Sequence, residues 1–327
     1  VTKLLLGKVQ AMPLSRYWSI GMGNLNYLSI CSGIESATVA WEPLGWKAIG
    51  FSEIDLFRNA VLKHHYPKVK NYGDFTKIES IGTEPDVLVG GTPCATFSIA
   101  GLRKGFEEYR GNLALEFLRL VKRVRPTWVV WENVPGVLSS NGGSDFGSFI
   151  GGLGECGYGT AYRILDTQHI RTQRFPRALP QMRRRVFVVG YRGDWKRPAA
   201  VLFDDWAMQG NPAPIRRQRK ETSIKATFRI VRSDQYTESD VAGTVAARDY
   251  KSATDLLLDS KGMRRLTPIE TERLQGLPDN YTQVPFNGKP KESCPVARRI
   301  EACGRSMSIN VMEFLGNRID KVHHNEI

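Results

Sequence analysis

The chain has 327 residues, 41% of them hydrophobic and 24% charged, enough for one large α/β domain or for one with a smaller companion. Forty-six Lys and Arg against 33 Asp and Glu leave a formal charge of +13, which favours a polyanion such as nucleic acid, with a generally basic surface as the plain alternative. Five scattered cysteines without a C-x-x-C spacing argue against a disulfide framework or a metal site and fit a reducing cytoplasm. No apolar stretch nears the ~18 residues of a bilayer span, so no membrane is expected as a partner.

Residues 1–25 read as an N-terminal extension, whose apolar block, Leu4 to Leu6, is too short for a signal peptide. From Asn26 to Arg192, β-rich runs alternate with stretches of helical spacing. The strand candidates are "YLSIC" (27–31), "KAIGFS" (47–52), "DVLVGG" (86–91), "TWVVWE" (127–132), "YRILD" (162–166) and "RVFVVGY" (185–191). "ESATVAWEPLG", "LFRNAVLKHHYP" and "NLALEFLRLVKRVRP" read as helices ending at Gly or Pro. Such alternation predicts a doubly wound, mainly parallel sheet, with ligands at the carboxyl ends of its strands. The alternation is lost after Arg192, in a basic segment where "ATFRIV" and "DLLL" are strand candidates. "SINVMEFLGNRI" (308–319) is an amphipathic helix that returns to the first domain.

The candidate functional residues fall just after strand runs. Gly33 follows the first strand and allows a tight turn into a helix, and Glu53 ends the second, where acids commonly bind ribose hydroxyls. Asp74 stands open between facing a cofactor and forming a turn. Cys94, after "VLVGGTP", is either a small core residue or a reactive thiol ahead of a glycine-bearing loop. Glu132 ends an apolar strand, a place for an acid that holds or donates a proton, or for one paired to a basic side chain. Gln181, Arg183 and Arg185 alternate on one face of an extended segment, where the arginines need anionic or carbonyl partners unless the edge is solvated.

In this order, Gly33, Glu53, P-C-x-x-F-S at Cys94, E-N-V at Glu132 and Q-x-R-x-R at Gln181–Arg185, the chain resembles the DNA (cytosine-5) methyltransferase family of bacterial and phage type. "RRLTPIETERLQGLPDNY" (264–281) and "GRSMSINVMEFLG" (304–316) extend the resemblance to most of the chain. It implies a Rossmann-like S-adenosylmethionine-dependent methyltransferase fold. The expected division is a catalytic and cofactor domain over 26–192, a smaller target recognition domain over 193–285, and a hinge and C-terminal helix over 286–327.

The resemblance implies that Cys94 adds to carbon 6 of cytosine and makes carbon 5 nucleophilic. Glu132 would hold the ring nitrogen 3 edge, with Arg185 and Arg183 supporting the base carbonyl and the thiolate. S-adenosylmethionine, leaving as S-adenosylhomocysteine, would contact Ser32, Gly33, Ile34, Glu53, Ile54, Asp74, Phe75, Pro93 and Ser306. The base would be flipped out of duplex DNA, with Ser98, Arg103, Lys104, Arg110 and Thr244 on the nucleic acid. Asn133 and Gln181 would position neighbouring segments. A cytoplasmic monomer, in a bacterial cell or phage-infected host, with a cognate restriction endonuclease as counterpart, completes the expectation.

Three motifs depart from the family pattern: Ala95 stands for the usual Gln, Glu35 for a glycine with Cys31 for an aromatic, and Arg305 for Asn in the closing G-N-S. A tRNA-directed enzyme of the same fold and a non-catalytic DNA-binding relative are the competing readings. A nicotinamide dehydrogenase would explain Gly33 and Glu53 but neither P-C-x-x-F-S nor Q-x-R-x-R.

Overall fold

A computed structural model describes residues 24–93, 113–203, 227–232, 235–239, 241–251, 255–259 and 262–326. Six strands form the main sheet: β1 (Asn26–Ile30), β2 (Lys47–Ser52), β3 (Val87–Gly90), β4 (Trp128–Asn133), β5 (Tyr158–Asp166) and β6 (Arg184–Arg192). Their order is β2-β1-β3-β4-β6-β5. The pairs β1–β2, β1–β3 and β3–β4 are parallel, whereas β6 is antiparallel to both β4 and β5. One strand therefore opposes five, and the sheet is mainly parallel.

The described helices are α1 (Ser36–Trp41), α2 (Leu56–His65), α3 (Leu113–Val124), α4 (Ser144–Glu155), α5 (Lys196–Leu202), α6 (Pro268–Gln275), α7 (Val296–Arg305) and α8 (Ile309–His323). Successive strand side chains point to opposite faces, so the runs "VLV" and "WVVW" must be covered on both sides. Leu28, Leu88, Val129, Trp131, Val186 and Val188 pack with α3 and α4. Tyr27, Val87, Val89, Trp128, Val130, Phe187 and Val189 share the opposite core with residues of α1, α2 and α8. The last helix is tied in by Trp41, whose indole donates to Met312 O at 2.7 Å. At Gly316 a side chain would meet the Trp41 ring at 2.4 Å, so only glycine permits this approach.

Helix α4 and the length of strand β5 depart from the sequence reading. Helix α4, "SDFGSFIGGLGE", carries four glycines that weigh against a helix. It forms because Phe146, Phe149 and Leu153 share one buried face, with the Phe149 ring tilted 34° against Trp131 at a centroid distance of 4.4 Å. Strand β5 begins at Tyr158, four residues before "YRILD", because backbone pairing with β6 continues to Arg192. The second sheet is antiparallel, β10-β9-β7-β8, from β7 (Thr227–Arg232), β8 (Gln235–Ser239), β9 (Asp255–Asp259) and β10 (Gly262–Arg265). "ATFRIV" and "DLLL" fall on β7 and β9. Polar "QYTES" and "GMRR" give no periodic signal, and their pairing comes from the ladder itself.

Helix α5 lies against β5 and α8, so the chain leaves the first set of layers only after Leu202. Among the described residues no helix is long and apolar enough to cross a membrane, and no cluster of His, Cys, Asp or Glu is placed to hold a metal ion.

Candidate active site

Strand order reverses between β1 and β3, which opens a crevice at the carboxyl edge of the sheet. The loop 31–35 lines it. Cys31, Gly33 and Glu35 all have positive φ (47°, 60° and 63°), a conformation costly for the two that carry side chains. Several bonds hold it. Ser32 Oγ donates to Ser29 O (2.9 Å) and accepts from Ser52 N (3.0 Å), stapling the ends of β1 and β2. Glu53, 4% exposed, accepts from Gly33 N at 2.9 Å, Ile54 N at 2.9 Å and Asp55 N at 2.8 Å, and pairs with Arg58 at 3.3 Å.

Ile54 lies beside this carboxylate with 71% of its surface exposed. Asp74 has the geometry of the turn-forming alternative: its Oδ1 accepts from Thr76 N (3.0 Å) and Thr76 Oγ1 (2.8 Å) at the start of a short 3-10 helix. Phe75 is buried among Leu28, Ile30 and Leu88.

Glu35, one of the departures from the family pattern, turns inward and caps α1. Its Oε2 accepts from Thr38 N (3.1 Å) and Thr38 Oγ1 (2.5 Å), and Thr38 Oγ1 lies 2.6 Å from the Tyr27 hydroxyl. Burial raises its pKa above the usual carboxyl range, against hydrogen bonds from Ser29 and Thr38 that lower it. A raised folded-state pKa contributes stability that is full below the unfolded value and lost as pH rises through the folded one. Glu35→Gln removes this titration. Wild type is therefore expected to gain melting temperature relative to Glu35→Gln as pH falls from 8 to 5. A Tm difference constant across that range would refute the assignment.

The second half of the site is the seam between β3 and β4. A side chain at Gly90 would strike Ile30 O at 2.5 Å, and one at Gly91 would come within 3.0 Å of Glu132 Oε2. Glycines here let the end of β3 lie against its neighbours. Trp131 Nε1 donates to Thr92 Oγ1 (3.2 Å), and Asn133 Nδ2 donates to Thr92 O (2.9 Å) while its Oδ1 takes Val134 N (2.9 Å). Asn133 thus fixes the residue before exposed Pro93. Cys94, Ser98, Arg103, Lys104 and Arg110 lie outside the described residues.

Glu132 Oε1 pairs with Arg185 Nε at 3.1 Å, both side chains being mostly buried. The reversal of β6 explains this meeting: an antiparallel strand brings its beginning, not its end, to the carboxyl edge of β4.

Arg183 behaves differently from Arg185. Only 3% exposed, it gives its terminal nitrogens to Val245 O (3.2 Å), Gly304 O (3.3 Å) and Ser306 O (2.8 Å). Burial first, then Arg185, lowers its pKa to about 9, while Glu132 acts to raise it. Its donors face backbone carbonyls of two other segments, so it ties β6 to the stretches around 245 and 304. The donors aimed at the edge beside Glu132 belong to Arg185.

Gln181, fully buried, donates to Leu274 O (2.8 Å) and bridges to Ala242. Thr244 Oγ1 donates to Met182 O (2.7 Å), and buried Ser306 donates to Cys303 O (2.8 Å). A side chain at Gly304 would meet Ala246 and Ala247 backbone at 2.5 Å, so the closing motif presses directly on this stretch. Arg305 points along α7 to Glu301 at 3.3 Å, which explains how a long side chain is accommodated in place of an amide.

The sequence profile of C-5 cytosine-specific DNA methylases matches residues 25–209 and 204–321. The chain belongs to this family. Among relatives, a DNA N-6-adenine-methyltransferase of Escherichia phage P1 is 32% identical over 92% of the chain and 62% of its own length. The orphan methyltransferase M.SPRI of Bacillus phage SPR is 30% identical over 73% of the chain and 52% of its own length. The chain thus spans little more than half of these relatives. S. pombe Dnmt2 methyltransferase shares the fold, with a TM-score of 0.63, 17% identity and coverage of 93% and 99% of the two chains. An E. coli prophage structure described as a putative DNA modification methyltransferase gives a TM-score of 0.60 at 16% identity, over 92% and 99%.

C-5 cytosine methylases are S-adenosylmethionine-dependent, and the crevice suits an adenosyl group on local grounds. Each carboxylate oxygen has room for about two hydrogen bonds, and Glu53 Oε2 spends one on Gly33 N. At Gly33 an added side chain would meet nothing closer than Cys31 O at 3.9 Å, so that side of the loop is open. The exposed apolar face of Ile54 stands ready for a ring. Thr92, which receives both the Trp131 and Asn133 side chains, is a positioning residue without a sequence signal, since its role rests on groups 39 and 41 residues away.

Proposed function

We propose that the chain transfers a methyl group from S-adenosylmethionine to carbon 5 of a flipped-out cytosine at a specific site in duplex DNA, through a covalent Cys94 adduct. The observation that carries this reading is the Glu132–Arg185 pair at the end of β4, beside the strand that leads through Thr92 and Pro93 into Cys94. Cytosine carbon 5 is not nucleophilic enough to attack unaided. The Cys94 thiolate adds to carbon 6 while Glu132 carries a proton at nitrogen 3, offsetting the charge that develops on the ring. Arg185 serves the base carbonyl from the same edge. S-adenosylmethionine, when bound, supplies the methyl electrophile. Loss of the carbon 5 proton to a base then expels Cys94 and restores the ring.

Glu53 and Ile54 take the ribose and the adenine, and the loop 31–34 takes the methionine end. The long basic segment after Arg192 leans toward duplex DNA over tRNA. The proposed domain plan keeps the divisions at residues 25 and 285 and moves the one at 192 past helix α5, which packs on β5 and α8. Phosphate contacts are assigned to Ser98, Arg103, Lys104 and Arg110, the Thr244 hydroxyl being spent on Met182 O. A monomer suffices, because one strand is modified at a time. In a restriction-modification setting its counterpart is a cognate endonuclease.

The phage P1 relative's name points to the exocyclic amine of adenine instead. An amine needs no thiol to make it nucleophilic, so that reading leaves P-C-x-x-F-S and the Glu132–Arg185 pair without a task. Labelled S-adenosylmethionine with duplex DNA, followed by nucleoside mass spectrometry, separates the two. The expected product is 5-methylcytosine, lost in Cys94→Ser, with 5-fluorocytosine DNA trapping a covalent complex. N6-methyladenine, label in tRNA alone, or DNA binding without transfer would each overturn the proposal.

A further inference from the structure

We infer that Tyr281 is a positioning residue for the cofactor loop, holding it from the recognition side of the molecule and setting cofactor affinity. The inference rests on the reading that loop 31–35 receives the cofactor. Tyr281 lies in the segment after α6, and its hydroxyl donates to Ile34 O at 2.8 Å, with both residues buried. The Tyr66 hydroxyl is 3.1 Å from the Tyr281 hydroxyl and, with the Tyr281 proton given to Ile34 O, acts as the donor to Tyr281 Oη. The Tyr281 ring stacks on His65 at 4.1 Å and 4°, and its backbone carbonyl accepts from His65 Nε2 at 2.8 Å.

The mounting is rigid. On either side of Tyr281, Asn280 N and Thr282 N end on the Glu272 carboxylate at 2.7 Å and 3.0 Å, and Arg299 pairs with Glu272 at 2.9 Å. Glu272 belongs to α6, which follows β10 directly and whose Leu274 O holds Gln181. The loop needs such a hold. Ile34 sits between Gly33 and Glu35, both at positive φ, and a chain persists in that conformation where the surroundings over-determine it. Fixing the Ile34 carbonyl sets the peptide plane into Glu35, one residue beyond the Gly33 amide that meets Glu53. Without the phenol, a buried carbonyl loses its partner and the loop has reason to move.

The test uses the full chain and S-adenosylhomocysteine as the probe in titration calorimetry. Tyr281→Phe keeps the stacking and the volume, and is expected to weaken binding about three- to tenfold. The KM for S-adenosylmethionine rises in step, while kcat at saturation stays within about twofold. Tyr66→Phe, which leaves the bond to Ile34 in place, keeps Kd within about twofold of wild type. Glu53→Ala checks the underlying reading. If it leaves binding unchanged, the loop is not the cofactor site; if it weakens binding while Tyr281→Phe does not, the positioning role fails. An equal loss in Tyr66→Phe and Tyr281→Phe, or a fall in kcat with Kd unchanged, also overturns it.

Discussion

Glu132→Gln is expected to lower kcat for methyl transfer about 10²- to 10⁴-fold, the range lost when a positioned proton donor is removed. The substitution keeps the shape of the side chain beside Gly91 and leaves Arg185 its bond to Arg184 O at 2.8 Å, so the fold should hold. Dissociation of S-adenosylhomocysteine should be unchanged, because the proposed cofactor groups, Gly33 and Glu53, sit across the β1–β3 crevice. Single-turnover kinetics with saturating DNA measures the chemical step directly. A rate within about tenfold of wild type would mean that Glu132 serves the structure through Arg185 and not the base.

Glu272→Ala is expected to cost about 3–5 kcal/mol of stability, because it leaves the buried Arg299 guanidinium without its carboxylate partner. Glu272 is fully buried and also receives Asn280 N, Thr282 N and the Thr282 hydroxyl, so four donors lose their acceptor together. The double variant Glu272→Met, Arg299→Leu removes both charges and should melt well above the single variant. Thermal unfolding monitored by circular dichroism decides it. A loss below about 1 kcal/mol in Glu272→Ala would show that water or rearrangement reaches the pair.

How much of this was legible beforehand follows from which interactions are local. The runs "VLV" and "WVVW" announce strands buried on both faces, and β2 coincides with "KAIGFS" because its stops are local too. Glu53 and Gly33 follow strands, so topology alone brings them to one edge. The reversal of β6 is not a local property, and with it the meeting of Glu132 and Arg185 is invisible until the sheet is assembled. Arg183 and Arg185 are two residues apart on one face, yet one ends on a carboxylate and the other on carbonyls from residues 245, 304 and 306. Nothing in Q-x-R-x-R separates those destinies. The capping role of Glu35 depends on positive φ at a non-glycine residue, which sequence patterns do not announce. Helix α4 shows the opposite failure, where propensity spoke against an element that burial of Phe146, Phe149 and Leu153 secures.

The contacts of Gln181 with Ala242, Arg183 with Val245 O, and Gly304 with Ala246 and Ala247 draw a line across which the proposed recognition segment meets its host. For protein engineers that line is a splice junction. A foreign recognition cassette inserted between Phe203 and Val241 leaves every one of these matings untouched. A cassette whose boundary runs past Ala242 must bring its own equivalents, or the buried arginine and the glycine of the closing motif lose the surface they were shaped against.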